Sequence, residues 1–298
     1  MTVRYETYRC KSILIRHKEV DEDWYWVKYS AHPYVCCAFG CHFCYFRAER
    51  YLRDIPCEDF DKVIRVKINA PQMLRKQLPR AEKNVIALGD WQPAEKEFLL
   101  SRRMLEVVRD LNFPIHIIER SPLLVRDLDI LEEINKETWC CVSYSFSTVD
   151  KSITKIFEPK APAPKKRMEA IREISERGIL TGLSFMPILP HITDDETHLE
   201  ETFAMAKEHG AHYVLCATLT MEGQQRDWVM SVIREHYPEL ASKYEQLYAN
   251  DAYVPGQKYH KELDARTRRL LKKYGLSPKI PKPVFEDQRK SQRRIDSY

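Results

Sequence analysis

Three cysteines lie close together near the start of the chain, in the stretch HPYVCCAFGCHFCYF. Cys37, Cys41 and Cys44 form the pattern C-x3-C-x2-C, which brings three thiols within eight residues. A cubane iron–sulfur cluster needs thiolates that converge from several sides, and a short loop containing Gly40 can wrap around it where a straight strand cannot. Three cysteines on four irons leave one iron open. The spacing therefore predicts a [4Fe-4S] cluster.

Two other interpretations fit the same spacing. The three positions are i, i+4 and i+7, so on a helix they would form one face of small buried side chains. A structural zinc ion is the other alternative, but zinc takes four ligands, commonly from two paired clusters, and the sequence has no second C-x2-C. Cys36 or His42 could act as the fourth zinc ligand only by crowding the three cysteines of the motif. The pattern favours the cluster over zinc, and zinc over a helical core.

Six short apolar or β-branched runs follow or precede amphipathic stretches along the chain. We predict strands over residues 26–30, 85–89, 115–119, 141–146, 180–185 and 213–217. Helices are predicted over residues 95–111, 123–134, 165–177 and 196–208, where apolar residues recur at spacings of three and four. Alternating strands and helices indicate a parallel sheet, either doubly wound or closed towards a barrel. Beyond Thr220 the pattern becomes helical.

Composition limits the class of protein. The chain has 298 residues and 44% hydrophobic content, enough to bury a sizeable core. Its first residues lack the apolar core of a signal peptide, and no apolar run is long enough to cross a bilayer, so we expect a cytoplasmic protein without membrane association. Nine cysteines in such a protein indicate metal binding or catalysis rather than disulfides.

The charge is uneven. Residues 257–298 carry thirteen Lys/Arg against five Asp/Glu, a net charge of +8, whereas the rest of the chain has −4. A polyanionic partner is one explanation of this basic C-terminal segment, and an ordinary solvated tail is the other.

The cysteine motif and four further stretches together resemble a known family. GDWQPAE, RDLDIL, EPKAPAPKKR and PILPHITDDE follow the cysteines in order. They are similar to the signature stretches of the radical S-adenosylmethionine (SAM) superfamily, in particular its spore-photoproduct-lyase-like group, often labelled DNA repair photolyases. The resemblance implies an α/β fold with a partial parallel (β/α)6 barrel over residues 1–220. A basic, mainly helical C-terminal extension follows over residues 221–298.

The resemblance also implies two cofactors, a [4Fe-4S] cluster on Cys37, Cys41 and Cys44 and S-adenosylmethionine on the open iron. Phe43, between the last two cysteines, is expected near the adenine, although a core aromatic would look the same. Four other residues match cofactor-contacting positions of the family. Asp90 and Gln92 correspond to partners of the methionine amino group, Arg120 to a lysine that pairs with the methionine carboxylate, and Ser145 to a serine that faces the ribose or carboxylate.

Several of these positions have structural alternatives. An Asp just after a strand commonly caps a turn or helix, and Glu95 is expected to complement the dipole of its own helix rather than to bind a ligand. Arg can pair with a carboxylate in a bidentate manner, so Arg120 in place of lysine is chemically tolerable. Glu158 and Arg167 match a family motif, but their residue types do not indicate a chemical role. The preferred interpretation is that they brace a loop against the helix that follows it.

Two candidate catalytic residues follow. Relatives carry a hydrogen-donating cysteine near the end of the second strand, where this chain has Ala87. Cys141, which shares a strand face with Ser143 and Ser145, is the candidate replacement, although buried strand cysteines are usually inert. His191 follows the fifth strand, at the end where ligand loops gather, and is a candidate for substrate contact or proton transfer.

The implied function is reductive cleavage of S-adenosylmethionine to a 5'-deoxyadenosyl radical, which abstracts hydrogen from a modified or damaged nucleic-acid base. An external electron donor is required, and the basic C-terminal segment is the candidate contact with DNA or another nucleic acid, because Lys/Arg neutralise phosphates and interspersed aromatics stack on bases. The same chemistry on a protein, peptide or small metabolite is the first alternative. A non-catalytic iron–sulfur protein is the second.

Overall fold

The computed structural model describes residues 2–22 and 24–285, so residues 286–298 of the basic C-terminal segment lie outside the described residues. Each of the six predicted strands is present, with ends that shift by up to three residues. The strands of the described residues are β1 (Arg4–Tyr8), β2 (Ile15–Arg16), β3 (Tyr29–Ala31), β4 (Tyr34–Val35), β5 (Val63–Lys67), β6 (Ile86–Leu88), β7 (Ile115–Glu119), β8 (Cys140–Phe146), β9 (Leu180–Ile188) and β10 (Tyr213–Thr218).

Seven strands form one sheet in the order β10-β9-β8-β7-β6-β3-β2. Within this sheet, every pairing between neighbouring strands is parallel except the one between β2 and β3. The strand β2 therefore forms an antiparallel edge. Each parallel connection crosses over through helices, as the alternating pattern requires. The sheet is open, with β10 and β2 as its edges among the described residues. The prediction of a mixed α/β fold built on a partial parallel barrel is confirmed.

The helices of the described residues are α1 (Glu49–Leu52), α2 (Ala70–Gln77), α3 (Glu95–Phe98), α4 (Leu100–Asp110), α5 (Leu128–Glu137), α6 (Lys151–Phe157), α7 (Pro164–Glu176), α8 (Glu196–Glu208), α9 (Gly223–His236), α10 (Ala241–Leu247) and α11 (Gln257–Tyr274). The single helix predicted over 95–111 is broken, because Leu99 adopts a left-handed conformation. Glu95 therefore caps the following helix instead of its own: its carboxylate accepts hydrogen bonds from the backbone N–H groups of Ser101 and Arg102.

A second, small sheet was not predicted. It has the order β1-β5-β4, with β5 parallel to β1 and antiparallel to β4. β1 reads RYETY and contains no fully buried residue, so it lacks the apolar run from which the other strands were inferred. The small sheet matters for function because β4 leads directly into the cysteine motif.

The hydrophobic core lies between the large sheet and its helices. Alternate residues of β8 show the division, since Cys140, Val142, Tyr144 and Phe146 belong to this core. The intervening residues Cys141 and Ser143 face the other side of the sheet, where both contact the hydroxyl of Tyr213. Gly182 is required there, because a Cβ atom at that position would lie 2.4 Å from the Tyr213 carbonyl oxygen.

The C-terminal helices pack on two different parts of this framework. Residues of α9 and α10 share an apolar cluster with Cys41 and Phe43 of the cysteine motif. Helix α11 packs against α8, and its cations meet the acidic face of that helix: Arg269 pairs with Glu196, and Lys273 with Glu200. In the described part of the chain, no helix has the length and apolar character needed to span a bilayer.

Candidate active site

The cysteine motif forms a loop at the carboxyl end of the parallel strands. Between β4 and the single helical turn Tyr45–Arg47, the backbone takes left-handed conformations at Cys36 (φ 69°) and Gly40 (φ 67°). A Cβ atom at Gly40 would lie 2.9 Å from a carboxylate oxygen of Asp61, so both conformation and space demand glycine. Because residues 37–44 turn back on themselves, the helical interpretation of the cysteine spacing is wrong.

Gln92 fastens this loop to the segment after β6. Its side-chain oxygen accepts a hydrogen bond from the Ala38 N–H at 3.0 Å, and its side-chain nitrogen donates to the Cys36 carbonyl at 2.9 Å. Gln92 is 1% exposed. Both ends of the amide are therefore engaged by the cysteine loop, and its suggested contact with the methionine amino group stays a prediction.

The three thiols lie in apolar surroundings. Burial raises the pKa of Cys37 and Cys41, and that of Cys44 to about 12. For Cys41 the nearby Arg120 acts in the opposite direction. Iron binding requires thiolates, so the positive charge of bound iron has to offset this burial. Among the described residues, no three His, Cys, Asp or Glu side chains surround one point as the ligands of a single metal ion do. In a cubane each cysteine binds its own iron.

A buried ion-pair triad lies beside the loop. Arg120, directly after β7, approaches Glu158 with an Nη1–Oε1 distance of 2.5 Å, and Arg167 of α7 holds the other carboxylate oxygen at 2.5 Å. Ser147 donates a further hydrogen bond to Glu158 at 2.6 Å. Burial would raise the pKa of Glu158, but the two guanidinium groups outweigh it and lower that pKa to about 2. Glu158 is thus a carboxylate shared by two arginines.

The triad reaches the cofactor-facing candidates on both sides. The guanidinium carbon of Arg120 lies 5.3 Å from the ring centre of Phe43, and Arg120 interacts electrostatically with Cys41 and Cys44. Arg167 donates a hydrogen bond to the carbonyl of Ser145 at 2.8 Å. Phe43, Arg120, Ser145 and the cysteines, which come from distant parts of the sequence, are therefore connected through one buried network.

Asp90 lies near His32 and Cys37, at the start of the cysteine loop. It follows Gly89 at the end of β6, is partly exposed, and its carboxylate lies 3.6 Å from the Nδ1 atom of His32. Asp90 also acts electrostatically on Cys37, which places it on the cysteine side of the sheet. His32 was not among the predicted site residues, since it stands outside the C-x3-C-x2-C pattern.

Glu119, the last residue of β7, was also not among the predicted site residues. One oxygen of its buried carboxylate accepts the N–H of Trp91 at 2.7 Å, and the other accepts the N–H groups of Arg120 and Ser121 at 2.7 and 2.9 Å. Burial raises its pKa to about 7. This carboxylate ties the loop after Asp90 to the start of the Arg120 loop. No local sequence signal marks its contact with Trp91, because that residue lies on a different loop.

Cys141 lies away from the cysteine loop. It is the second residue of β8, paired with the first residue of β9, and is fully buried. Ser145 is four residues further along the same strand, a rise of about 13 Å at ~3.3 Å per residue. The predicted face is confirmed, since Cys141 and Ser143 contact the same hydroxyl of Tyr213, at 3.2 and 2.7 Å.

A polar network continues from that hydroxyl. Ser143 lies 2.8 Å from Nε2 of His116, whose Nδ1 lies 2.9 Å from the carbonyl of Tyr25. A carbonyl only accepts, so Nδ1 carries the proton and Nε2 accepts from the Ser143 hydroxyl. Burial lowers the pKa of His116 to about 4, which keeps this ring neutral.

His191 lies on the loop after β9, as predicted, but faces outwards. It is exposed, and its ring centre is 6.2 Å from that of Tyr259 on α11. Its backbone N–H donates to Asp194, whose other carboxylate oxygen accepts from the Tyr259 hydroxyl. The contacts of His191 are thus with the loop itself and α11.

Comparison with known proteins agrees with this arrangement. A sequence model of the radical SAM superfamily matches residues 32–206. The chain belongs to the radical SAM superfamily. It is a radical SAM enzyme, for which S-adenosylmethionine and an iron–sulfur cluster are the implied cofactors.

Its curated relatives are uncharacterized proteins. One from Mycobacterium tuberculosis is 29% identical over 257 residues, covering 84% of this chain and 75% of its own length. Another, from Methanocaldococcus jannaschii, is 25% identical over 181 residues, covering 59% and 66%.

Among solved structures, spore photoproduct lyase complexed with dinucleoside spore photoproduct aligns with a TM-score of 0.64. It is 15% identical and covers 92% of this chain and 80% of its own. A variant of the same lyase with bound AdoMet and dinucleoside spore photoproduct gives a TM-score of 0.61 at 15% identity, with coverages of 88% and 78%. These similarities establish a radical SAM fold like that of spore photoproduct lyase.

Proposed function

We propose that Cys37, Cys41 and Cys44 hold a [4Fe-4S] cluster, each cysteine binding one iron, and that the fourth iron takes the methionine end of S-adenosylmethionine. The observation that carries this proposal is the position of the cysteine loop, at the carboxyl end of a parallel sheet and next to a buried cationic triad. The donor set fits the group, because three thiols on one tight loop suit a cubane with one open iron. Zinc lacks a fourth ligand from a second cysteine pair.

Together these cofactors supply, after one electron from an external donor, homolysis of the sulfonium bond and a 5'-deoxyadenosyl radical that takes a hydrogen atom from the substrate. The chain positions the reactants. Arg120 pairs with the methionine carboxylate, Asp90 accepts from the methionine amino group, and Phe43 offers an apolar surface to the adenine. Ser145 lies within reach of the ribose or carboxylate side of the same ligand.

Glu158 and Arg167 serve this arrangement by holding Arg120. A free arginine side chain would lose conformational entropy on binding a carboxylate, whereas one already fixed by an ion pair loses less. The triad keeps one surplus positive charge, because one carboxylate faces two guanidinium groups. Helices α9 and α10 cover the apolar side of the loop, which keeps water from the cluster.

The proposed substrate is a modified or damaged nucleic-acid base. Support comes from the structural similarity to spore photoproduct lyase, whose complexes contain a dinucleoside spore photoproduct. Cys141 remains the proposed hydrogen donor in place of a cysteine at Ala87, and His191 a substrate-contacting residue. The basic C-terminal segment is the proposed nucleic-acid contact, through cations other than those that α8 already neutralises.

That neutralisation favours a second candidate, the same chemistry on a protein, peptide or small metabolite. Arg269 and Lys273 form ion pairs with Glu196 and Glu200, and this pairing reduces the basic surface that is available to a polyanion. Nucleic-acid binding with a steep salt dependence would support the first candidate, because each phosphate contact releases counterions. Binding that is absent or independent of salt would support the second.

The test is anaerobic reconstitution with iron and sulfide, reduction, and measurement of 5'-deoxyadenosine. We expect product from the parent and none from Cys37→Ala, Cys41→Ala or Cys44→Ala, which should also lose iron. Cys36→Ala is the matched control, since Cys36 adjoins the motif without belonging to it, and it should retain both iron and product. A parent that binds iron but forms no 5'-deoxyadenosine would point to the non-catalytic iron–sulfur protein and contradict the proposal.

A further inference from the structure

The side chain of Arg47 lies beneath the cysteine loop, three residues after Cys44. It is 1% exposed. Its Nε donates to the Cys41 carbonyl at 3.0 Å, Nη2 to the Gly40 carbonyl at 3.0 Å, and Nη1 to the Cys57 carbonyl at 2.8 Å. The guanidinium group is also enclosed by two aromatic rings, with its carbon 4.5 Å from the centre of Phe60 and 4.6 Å from that of Trp228.

All of these partners are neutral. Within the described residues, no carboxylate oxygen lies close enough to Arg47 to form an ion pair, whereas the buried arginines of the neighbouring triad share Glu158. A buried cation with only neutral partners is costly, and proteins normally compensate it with an anion. Carbonyls and aromatic faces offset part of this cost. The site still lacks a counter-charge.

A cluster held by Cys37, Cys41 and Cys44 would supply that charge. Arg47 holds the backbone of Cys41 directly, and its charge acts on the thiols of Cys41 and Cys44 against the larger effect of burial. In a three-cysteine cluster the thiolate and sulfide charges exceed those of the irons, so the ligated cluster is an anion, and reduction makes it more negative. Buried charges interact strongly because the local dielectric constant is low.

We propose that Arg47 is the buried counter-cation of the iron–sulfur cluster and makes its reduction potential less negative. This inference rests on the proposed function, because it requires the cluster on Cys37, Cys41 and Cys44. Arg47 acts through the loop as a positioning residue and through its charge as a tuning residue. A cation at this place stabilises the reduced form more than the oxidised form, so an electron donor of a given potential reduces a larger fraction of the protein.

The first test compares Arg47→Gln with Arg47→Lys. Both are reconstituted, their iron content is measured, and the midpoint potential is obtained from the spin signal of the reduced cluster during an anaerobic titration. We expect a more negative potential for R47Q, by 59 mV for each tenfold loss in the reduction equilibrium constant, and a smaller change for R47K. Arg102→Gln, which removes a cation paired with the buried carboxylate of Asp127 rather than with the carbonyls of the cysteine loop, is the control and should leave the potential unchanged.

A second test separates charge from shape. Arg47→Ala leaves a slot between Phe60 and Trp228 that can admit a small planar molecule. Guanidinium at low millimolar concentration should return the potential of R47A towards that of the parent. Urea, its neutral isostere, should not. The readout is again the midpoint potential, together with iron content for variants that bind the cluster poorly.

The outcomes are separable. Iron-replete R47Q and R47A with the potential of the parent would overturn the inference alone. The inference would also be overturned if both variants lose iron and neither the lysine of R47K nor added guanidinium preserves it. The same holds if urea restores R47A as well as guanidinium does. In either case Arg47 would act through its shape and not through its charge. Iron loss reversed by guanidinium and not by urea would support it. A parent that holds no cluster would overturn the proposed function itself.

Discussion

The guanidinium group of Arg120 contacts the carboxylate of Glu158 at 2.5 Å; next to Cys41, the Glu158 side chain is fully buried and that of Arg120 is 13% exposed. Because Arg167 engages the other carboxylate oxygen, Glu158 cannot neutralise both arginines. One positive charge remains beside the cysteine loop. An anionic ligand group that enters here meets a cation whose position is already fixed.

Arg120→Met should weaken binding of S-adenosylmethionine to the reconstituted protein by roughly 10- to 100-fold, since a charge-assisted hydrogen bond contributes about 1.5–3 kcal/mol. Arg120→Lys should lose less affinity for S-adenosylmethionine, because lysine keeps the positive charge. Equilibrium dialysis with radiolabelled ligand gives the affinity, at matched iron content. Arg109→Met, which removes an exposed arginine paired with Asp110 and Glu133, should bind as the parent does. Parent-like affinity for R120M would contradict the assigned role.

Glu158 should make the fold sensitive to acid. Its pKa in the folded protein is about 2, below the 4.5 of an unperturbed glutamate, so its ionisation stabilises the fold fully above pH 4.5. That contribution, about 3 kcal/mol, is lost as the pH falls from 4.5 to 2. Glu158→Gln should therefore be less stable at pH 7 and show a flatter pH dependence in this window.

Urea unfolding of the apo protein between pH 3 and 7 measures both effects. Glu245→Gln removes one partner of an exposed ion pair with Arg234 and should follow the pH profile of the parent. A profile for E158Q that is parallel to that of the parent would show that Glu158 is not ionised by the triad.

The parts of the site that could be predicted are those encoded locally. Buried parallel strands are continuous apolar runs, so the strand that ends at Glu119 and the strand that bears Ser145 were found from the sequence. The cysteine pattern lies in one loop. By contrast, Glu158 lies 38 residues from Arg120, and their pairing exists only once the sheet has aligned the ends of β7 and β8.

Two other features depend on the same long-range alignment. Arg47 looks like a charged surface residue in the sequence and becomes buried because Trp228 of α9 and Phe60, both distant in the sequence, enclose it. For Cys141, strand parity predicted the correct face. It could not say how far the residue lies from the cysteine loop, because that distance depends on which end of β8 adjoins the loop.

Cys141→Ala should leave reductive cleavage of S-adenosylmethionine intact and impair only substrate turnover. The physical reason is distance, since Cys141 lies about 13 Å along β8 from the Ser145 level at ~3.3 Å per residue. Production of 5'-deoxyadenosine without substrate measures the first quantity, and product formation with substrate the second.

Cys140→Ala is the matched control for this substitution. Cys140 is also buried but faces the core on the opposite side of the strand. Both variants should lose comparable stability, and only C141A should lose turnover. Full turnover by C141A would exclude Cys141 as the hydrogen donor, whereas loss of cleavage would mean that the substitution disturbs the cofactor end of the strand.

The cations of α11 should contribute unequally to nucleic-acid binding. Lys258 and Lys261 are exposed near the start of the helix, whereas Arg269 and Lys273 are paired with α8. If the basic segment binds nucleic acid, K258Q and K261Q should each reduce the slope of log K against log salt by about 0.9. R269Q and K273Q should change the slope little, because α8 already engages their charges. Binding of single-stranded and duplex DNA at several salt concentrations, followed by fluorescence anisotropy, measures the slopes.

Equal effects of all four substitutions would mean that the ion pairs with α8 open when nucleic acid binds. If none of the four substitutions changes binding, α11 is not part of the interface, and a substrate that is not a nucleic acid is favoured.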